Sequence, residues 1–288
     1  MPHSSTVTAG TLYVVATPIG NMADITERAR QVLSSVSRVC CEDTRHSVRL
    51  LDHLGIQARL EALHEHNERD KSALILQWLE AGESIALISD AGTPLISDPG
   101  YVLVNDVVAK GLAVVPVPGA SAIIAALSVA GLPTDRFSFE GFLPAKTSAR
   151  QSAFQQISEY AGTVIFYESS HRIEDSLADL AKVLGAARQI VLARELTKTF
   201  ETVLRGTVAD VQAVLANDAN QRRGEFVLLV QGVGKSKQAE ISDEVRKLVV
   251  TLGDSLPPKV LAAALADAFG GRKKLYYDYL LSQRSSET

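Results

Sequence analysis

Short apolar runs rich in β-branched residues alternate with stretches of helical periodicity through the first two-thirds of the chain. That rhythm constrains the fold more than any other feature. Runs at 11–17, 38–42, 59–64, 84–89 and 113–117 read as strands, and 25–36, 46–54, 68–81 and 100–110 read as helices. In 25–36, Ile25, Ala29, Val32, Leu33 and Val36 share one helical face, and Asp24 with Glu27 resembles a capping box at its start. Strands linked through helices pair side by side in the same direction, so the spacing predicts a mostly parallel sheet covered on both faces.

The pattern changes after Pro118. Helices are expected at 121–130, 147–160, 173–184 and 209–216, and strands at 136–141, 163–168, 188–195, 201–206 and 225–231, which together make a second α/β unit. Residues 232–240 are small and polar and read as a linker. Three short helices follow at 243–252, 258–269 and 273–282. They suit either a helix-turn-helix-like appendage or a helical cap or dimerisation element. The expected organisation is an α/β protein with an N-terminal α/β domain over 1–117, a second over 118–233 and a helical module over 241–288.

Charge and cysteine usage exclude several classes. A net charge of −4 is not the footprint of a protein held to nucleic acid by bulk charge, so RNA binding would need a local basic face. The chain starts without a basic, then apolar, leader, and the uncharged run 111–134 carries Pro116, Pro118 and Pro133, so no membrane span is expected. Cys40 and Cys41 are adjacent and lack zinc-ligand spacing, as expected for buried thiols of a reducing, cytoplasmic compartment.

No G-x-G-x-x-G follows the first strand, and the 234–236 Gly-Lys-Ser has Leu229 where a phosphate-binding loop needs glycine. The first strand leads instead into Thr17-Pro18-Ile19-Gly20-Asn21, a tight turn at a strand's carboxyl end, where open parallel sheets place their ligands. A second strand ends in Asp90 before the small-residue loop Ala91-Gly92-Thr93-Pro94. Further along, Asp98-Pro99 reads as a helix cap with proline in the first turn, which leaves Asp90 as the better ligand contact, for a cofactor carrying ribose hydroxyls, an amine or a sulfonium. Pro118-Gly119-Ala120-Ser121-Ala122 joins another strand to a helix. His64 and His66 would share one strand face, but no third ligand stands out and no metal is expected. Polar clusters at 168–172 and 194–198 follow two later strands, and together these loops argue for a cleft between the two α/β units.

These segments resemble the tetrapyrrole methylase superfamily of class III methyltransferases. Within it, they resemble the small-subunit ribosomal RNA 2′-O-methyltransferase I family. The resemblance rests on Gly10 to Asn21, Glu42-Asp43-Thr44-Arg45, His64 to Glu68, Leu87 to Gly100, Gly141 to Pro144, Glu168 to Arg172 and Arg194 to Lys198. Thr17-Pro18-Ile19-Gly20 departs from the glycine-rich first loop of members that modify corphyrins, and Ser170 stands where proline is common. The resemblance implies S-adenosylmethionine bound in the cleft against Ile19, Asp90, Gly92, Thr93, Pro94, Ser121, Ala122, Tyr167, Glu225 and Phe226. It also implies cytidine 2′-O-methylation of 16S ribosomal RNA in the small subunit, by a homodimer.

A ribose hydroxyl is a weak nucleophile and needs a base or a cation beside the developing alkoxide. Glu168 and His171 are the candidate base or orienting groups. Arg45, Arg172, Arg194 and Lys198, with the Arg272-Lys273-Lys274 run of the tail, are candidate substrate contacts. Tyr276 and Tyr279 share a helical face that suits a core, with Tyr277 expected to be exposed. Two other readings are a methyltransferase for a small macrocycle or a protein side chain, and a non-catalytic RNA-binding assembly protein. The basic tail argues against the first, and the intact Asp90 loop and Ser121 segment argue against the second.

Overall fold

The computed structural model describes residues 7–64, 66–233, 241–253, 255–270 and 273–285. Glu65, the 234–236 segment and Arg272 lie outside them. The chain divides into two compact units, Met1–Gly232 and Val233–Thr288. The first holds both sheets.

Strands β1 (Thr11–Val15), β2 (Arg38–Cys41), β3 (Leu60–Ala62), β4 (Ile85–Ile88) and β5 (Ala113–Val117) form a sheet in the order β3-β2-β4-β1-β5. Every pairing in it is parallel, as the spacing predicts. Helices α1 (Glu27–Ser35), α2 (Thr44–Leu54), α3 (Glu68–Glu80) and α4 (Tyr101–Ala109) connect it. Alternation along the strands sorts the side chains. Tyr13, Val15, Val39, Cys41, Ala86 and Ile88 pack on α1 and α2, while Leu12, Cys40, Ile85 and Leu87 pack on α3 and α4. The adjacent cysteines therefore face opposite cores, and both thiols are free and buried. Burial pushes the Cys40 thiol up to about 12.

Two caps differ from the sequence reading. Thr26, not Asp24, opens α1, its hydroxyl accepting from the Ala29 N–H at 3.1 Å, while Asp24 ends a short 3-10 turn, Met22–Asp24. Helix α4 starts after Gly100, whose φ of 126° suits glycine, and Asp98 does not cap it. The cap comes from α3: one oxygen of the buried Glu68 carboxylate accepts from the N–H groups of Gly100 (2.9 Å), Val102 (2.9 Å) and Leu103 (3.3 Å). A carboxylate at a helix N-terminus meets both the unsatisfied donors and the positive end of the dipole. Glu68→Ala is therefore expected to cost about 2 kcal/mol, the combined loss of a cap and of buried hydrogen bonds. Urea unfolding measures it, and an unshifted midpoint would contradict the role.

Strands β6 (Phe137–Phe142), β7 (Thr163–Ser169), β8 (Gln189–Arg194), β9 (Thr202–Thr207) and β10 (Glu225–Val230) form the second sheet, ordered β6-β7-β10-β8-β9. In this sheet β6–β7 is parallel, whereas β10 runs against both β7 and β8, and β8 against β9. Helix α5 (Ala122–Ala130) covers one face through Ile123, Ala126 and Leu127, which pack on Ile165, Val191, Ala193, Val227 and Leu229. Helices α6 (Thr147–Gln156), α7 (Ile173–Leu184) and α8 (Val208–Asn217) cover the other, over Phe166, Leu192, Phe226 and Leu228. A buried ion pair joins α6 to α7, with Arg150 Nη2 2.6 Å from Asp179 Oδ2 and Gln151 donating to the other oxygen at 2.7 Å. Against the burial that opposes it, these donors hold the Asp179 carboxyl below its ordinary range.

The second unit contains α9 (Asp243–Leu252), α10 (Pro258–Phe269) and α11 (Lys273–Ser285) around its own core of Val245, Val249, Leu261, Ala262, Leu265, Tyr276 and Leu280. Tyr276 donates its hydroxyl proton to the Gly270 carbonyl at 2.8 Å. Tyr277 is half-buried, packed against this core rather than exposed. Lys259, Lys273 and Lys274 are exposed. Among the described residues, no helix is long and apolar enough to cross a membrane.

Candidate active site

In the first unit, the carboxyl ends of β1, β4, β5, β7 and β8 and the amino end of β10 border a cleft of about 550 Å³. This is within the usual range for small-molecule sites. The loop after β1 and the loop after β4 are locked together by paired hydrogen bonds, Thr17 N–H to Gly92 O (2.8 Å) and Gly92 N–H to Thr17 O (3.1 Å). Gly92 has a φ of 83°, and a side chain built there would meet Ile19 at 3.3 Å. The Thr93 hydroxyl then donates to the Ala120 carbonyl at 3.1 Å, tying in the loop that opens α5. Across the cleft, the Asn21 N–H donates to the Thr197 hydroxyl at 3.0 Å, so the loop after β1 also touches the loop after β8. Leu95, Ser97, Glu195 and Thr197 are the non-glycine residues with positive φ among those described, at 73°, 70°, 50° and 65°. All four lie in the loops after β4 and β8, and such strain persists where surrounding structure over-determines it, typically at functional sites.

Of the residues expected to hold a cofactor, Ile19, Asp90, Gly92, Thr93, Ser121, Ala122, Tyr167, Glu225 and Phe226 border this cleft. Pro94 is buried beside it and does not. Strand alternation separates the second-domain residues further. Tyr167, Val227 and Ala193 are cross-strand partners facing the α5 side, whereas Glu168, Phe226 and Arg194 are partners on the opposite face. Phe226 borders the cleft only along its strand, and its ring belongs to the α6–α8 core.

The same alternation corrects two chemical roles. Glu168 is fully buried, and its carboxylate accepts from the Ser176 hydroxyl (2.6 Å) and its neighbour's N–H (2.7 Å) and pairs with Arg172 (2.8 Å). It fixes the start of α7 and offers no free oxygen to a substrate. Arg194 is 6% exposed, and it donates to the carbonyls of Arg223 (2.6 Å) and Phe200 (2.8 Å), closing the loop after β8 rather than meeting a phosphate. Arg172, paired with Glu168, also lies off the cleft.

His171 stands exposed on the cleft wall. Lys198 borders it too, its ammonium held by Glu195 (2.9 Å) and Glu225 (2.8 Å). Although burial opposes it, these carboxylates hold the Lys198 ammonium above its ordinary range. Burial likewise opposes ionisation of Glu195, but the Glu225 N–H and Lys198 hold its carboxyl below the usual range. Asp90 accepts from the Asp43 N–H at 3.3 Å and sits 3.2 Å from His46 Nδ1. Asp43 in turn pairs with the fully solvated Arg45 at 2.6 Å, which lies outside the cleft. Tyr167, on the α5 side, packs edge-on against Phe139 and Phe142. Burial, then the charge of Asp98, pushes its hydroxyl up to about 12.

Sequence reasoning missed two residues that shape this site. Glu68 holds the far end of the Asp90–Gly100 loop, and the only local signal was its place at the start of a helix. Asp98, which has the sequence context of a cap, lines the cleft instead.

These features suit a cofactor with a sulfonium and an amine. Small residues leave room, backbone at Gly92 comes close, and carboxylates of Asp90, Asp98, Glu195 and Glu225 set a negative field. Residues 11–212 match the family model of the Tetrapyrrole (Corrin/Porphyrin) Methylases. Solved structures agree at the level of fold. Uroporphyrin-III-C-methyltransferase from Thermus thermophilus has a TM-score of 0.54 at 18% identity, covering 86% of this chain and 99% of that one. Diphthine synthase has a TM-score of 0.57 at 13% identity, covering 77% and 90%. The chain belongs to the tetrapyrrole methylases, and it is a methyltransferase.

Within that class, curated relatives match nearly end to end. Ribosomal RNA small subunit methyltransferase I of Xylella fastidiosa is 53% identical over 270 residues, covering 94% of this chain and 98% of its own. The Pseudomonas aeruginosa protein of the same name is 52% identical over 279 residues, covering 96% and 99%. That of Escherichia coli O157:H7 is 50% identical over 275 residues, covering 96% of each. The particular family to which this chain belongs is ribosomal RNA small subunit methyltransferase I.

Proposed function

We propose that this chain is a cytoplasmic enzyme that moves the methyl group of S-adenosylmethionine to the 2′-hydroxyl of a cytidine in 16S ribosomal RNA of the small subunit. The observation that carries this reading is the cleft itself, which gathers Ile19, Asp90, Gly92, Thr93, Ser121, Ala122 and Tyr167 from both sheets. The names of the near-full-length relatives support ribosomal RNA as the substrate. S-adenosylmethionine supplies an electrophilic methyl on positive sulfur. The protein's part is to orient it, exclude water and place the acceptor in line, which by itself supplies much of a displacement's acceleration. Lys198 on the wall, Arg45 outside the mouth, and Lys273 and Lys274 on the tail are the cations offered to the RNA backbone, and His171 on the wall is the remaining candidate base or orienting group. Mapping 2′-O-methylation on ribosomal RNA from cells lacking this protein tests the reading. One cytidine of the small subunit should lose its methyl, and an unchanged map would refute it.

The same reading carries a homodimer, supported by exposed apolar side chains such as Ile124, Val129 and Phe137 on the first unit. Light scattering should give about twice the 30.9 kDa chain mass at micromolar concentration. A single-chain mass throughout that range would exclude it.

A further inference from the structure

Phe142 holds none of the positions assigned to the cofactor, yet it lines the same cleft and is 56% exposed. Its neighbour Leu143 is buried in the core on the α6–α8 side. Strand β6 sets this difference. Along its first half, Phe137, Ser138 and Phe139 pair one-to-one with Thr163, Val164 and Ile165 of β7. Strict alternation from Phe139, which packs toward α5, would send residue 142 to the opposite face. Instead, three steps along β6 match two along β7, and Phe142 pairs with Tyr167. This is a β-bulge, and Gly141 permits it with a φ of 75°. The bulge turns Phe142 to the Tyr167 face, where the two rings meet edge-on with centroids 5.3 Å apart. Past it, the Leu143 N–H donates to the Tyr167 carbonyl at 3.2 Å and fixes the strand again.

A single exposed apolar side chain is ordinary on a protein surface. Phe142 differs in that a backbone irregularity aims its ring into a cleft, and bulges gather beside active sites, where they re-aim side chains. Tyr167 uses at most one face of the ring. Ser169, Ser170 and His171, from the end of β7 and the loop after it, line the cleft with Phe142. This corner therefore offers an aromatic face flanked by hydroxyls and an imidazole.

A ribose carries its base on the carbon next to the one that bears the 2′-hydroxyl. Bringing that hydroxyl to the methyl group brings the base to the cleft wall, and the base must leave its stack in the RNA to arrive there. Proteins recover such lost stacking on aromatic side chains, which is how they hold unpaired bases. We propose that Phe142 is the stacking platform for the unpaired cytosine base of the target nucleotide and thereby fixes where its ribose stops relative to the methyl. This rests on the reading of the cleft as a 2′-O-methylation site. Stacking accepts any base, so Phe142 selects an unpaired nucleotide, and the choice of cytosine falls to other groups.

Phe142→Ala, Phe142→Leu and Phe142→Tyr, each in the full-length protein, test this. All three should keep the thermal midpoint, since Phe142 belongs to neither apolar core of its sheet. Calorimetry with S-adenosylmethionine should give affinities within about threefold of the unsubstituted protein. On isolated small subunits, kcat/KM should fall about tenfold or more in the alanine variant, the size expected for losing one base–aromatic stack. The leucine variant keeps apolar bulk without a ring face and should fall nearly as far. The tyrosine variant keeps the ring and should stay within about threefold. An alanine variant that also stays within threefold would overturn the assignment. So would a leucine variant as active as the tyrosine one, which would reduce Phe142 to bulk, or a tyrosine variant as impaired as the alanine one. A parallel loss of cofactor affinity would make Phe142 a wall of the cofactor site and equally overturn it. Failure of the underlying reading would look different: the unsubstituted protein itself would place no methyl on RNA.

Discussion

Gly92→Val is expected to weaken S-adenosylmethionine binding by about a hundredfold while leaving the protein folded. Gly92 sits at a φ of 83°, where a β-branched residue is badly accommodated. A Cβ added there meets Ile19 at 3.3 Å, and the Gly92 N–H and carbonyl both pair with Thr17. Relieving about 2–3 kcal/mol of strain would require the loop to leave the conformation that shapes the cleft. At about 1.4 kcal/mol per tenfold, that is roughly thirty- to a hundredfold in affinity, with narrowing of the cleft added. The sheet beneath depends on the α1–α4 cores rather than on this loop, so the thermal transition should stay cooperative. Calorimetry reads the affinity, and a variant within threefold of the unsubstituted protein would show that the loop does not meet the cofactor.

Ending the chain at residue 240 should produce the second large effect, on the RNA side alone. The tail has its own core of Val245, Val249, Leu261, Leu265, Tyr276 and Leu280, and the first unit has its own cores around both sheets. Cofactor affinity should therefore hold within about twofold. Methylation of small subunits at subsaturating concentration should fall about a hundredfold, because Lys259, Lys273 and Lys274 are exposed cations on a chain of net charge −4. Each lost phosphate contact also lowers the salt slope by roughly one. Equal rates for both proteins across a salt series would make the tail purely structural. Arg272, the first residue of the basic run, lies outside the described residues.

The parts of this molecule that follow from local periodicity were legible in the sequence. The parallel sheet of β1–β5, its coverage on both faces and the three tail helices all come from the spacing of apolar residues. Strand direction in the second sheet was not legible, because β7, β8 and β10 are separated by connections whose composition does not reveal that β10 inserts between the other two in reverse. Within the site, position at a strand's end was readable but not the face. Tyr167 and Glu168 are neighbours in sequence and both border the cleft, yet only Tyr167 turns its side chain to the α5 face, while the Glu168 carboxylate is held by Ser176 and Arg172, and the same rule sends Arg194 and Phe226 to the α6–α8 side. Glu68 acts on Gly100 across 32 positions, a contact no local pattern encodes. That displaced cap is also why Asp98, which has the sequence context of a helix start, is released to line the cleft.

The central claim is tested most directly by incubating the full-length protein with isolated small ribosomal subunits and S-adenosylmethionine labelled in its methyl group, then digesting the RNA to nucleosides. The account predicts label in 2′-O-methylcytidine and in no other nucleoside. Label on a base, label on protein, or no transfer while the cofactor binds would contradict it.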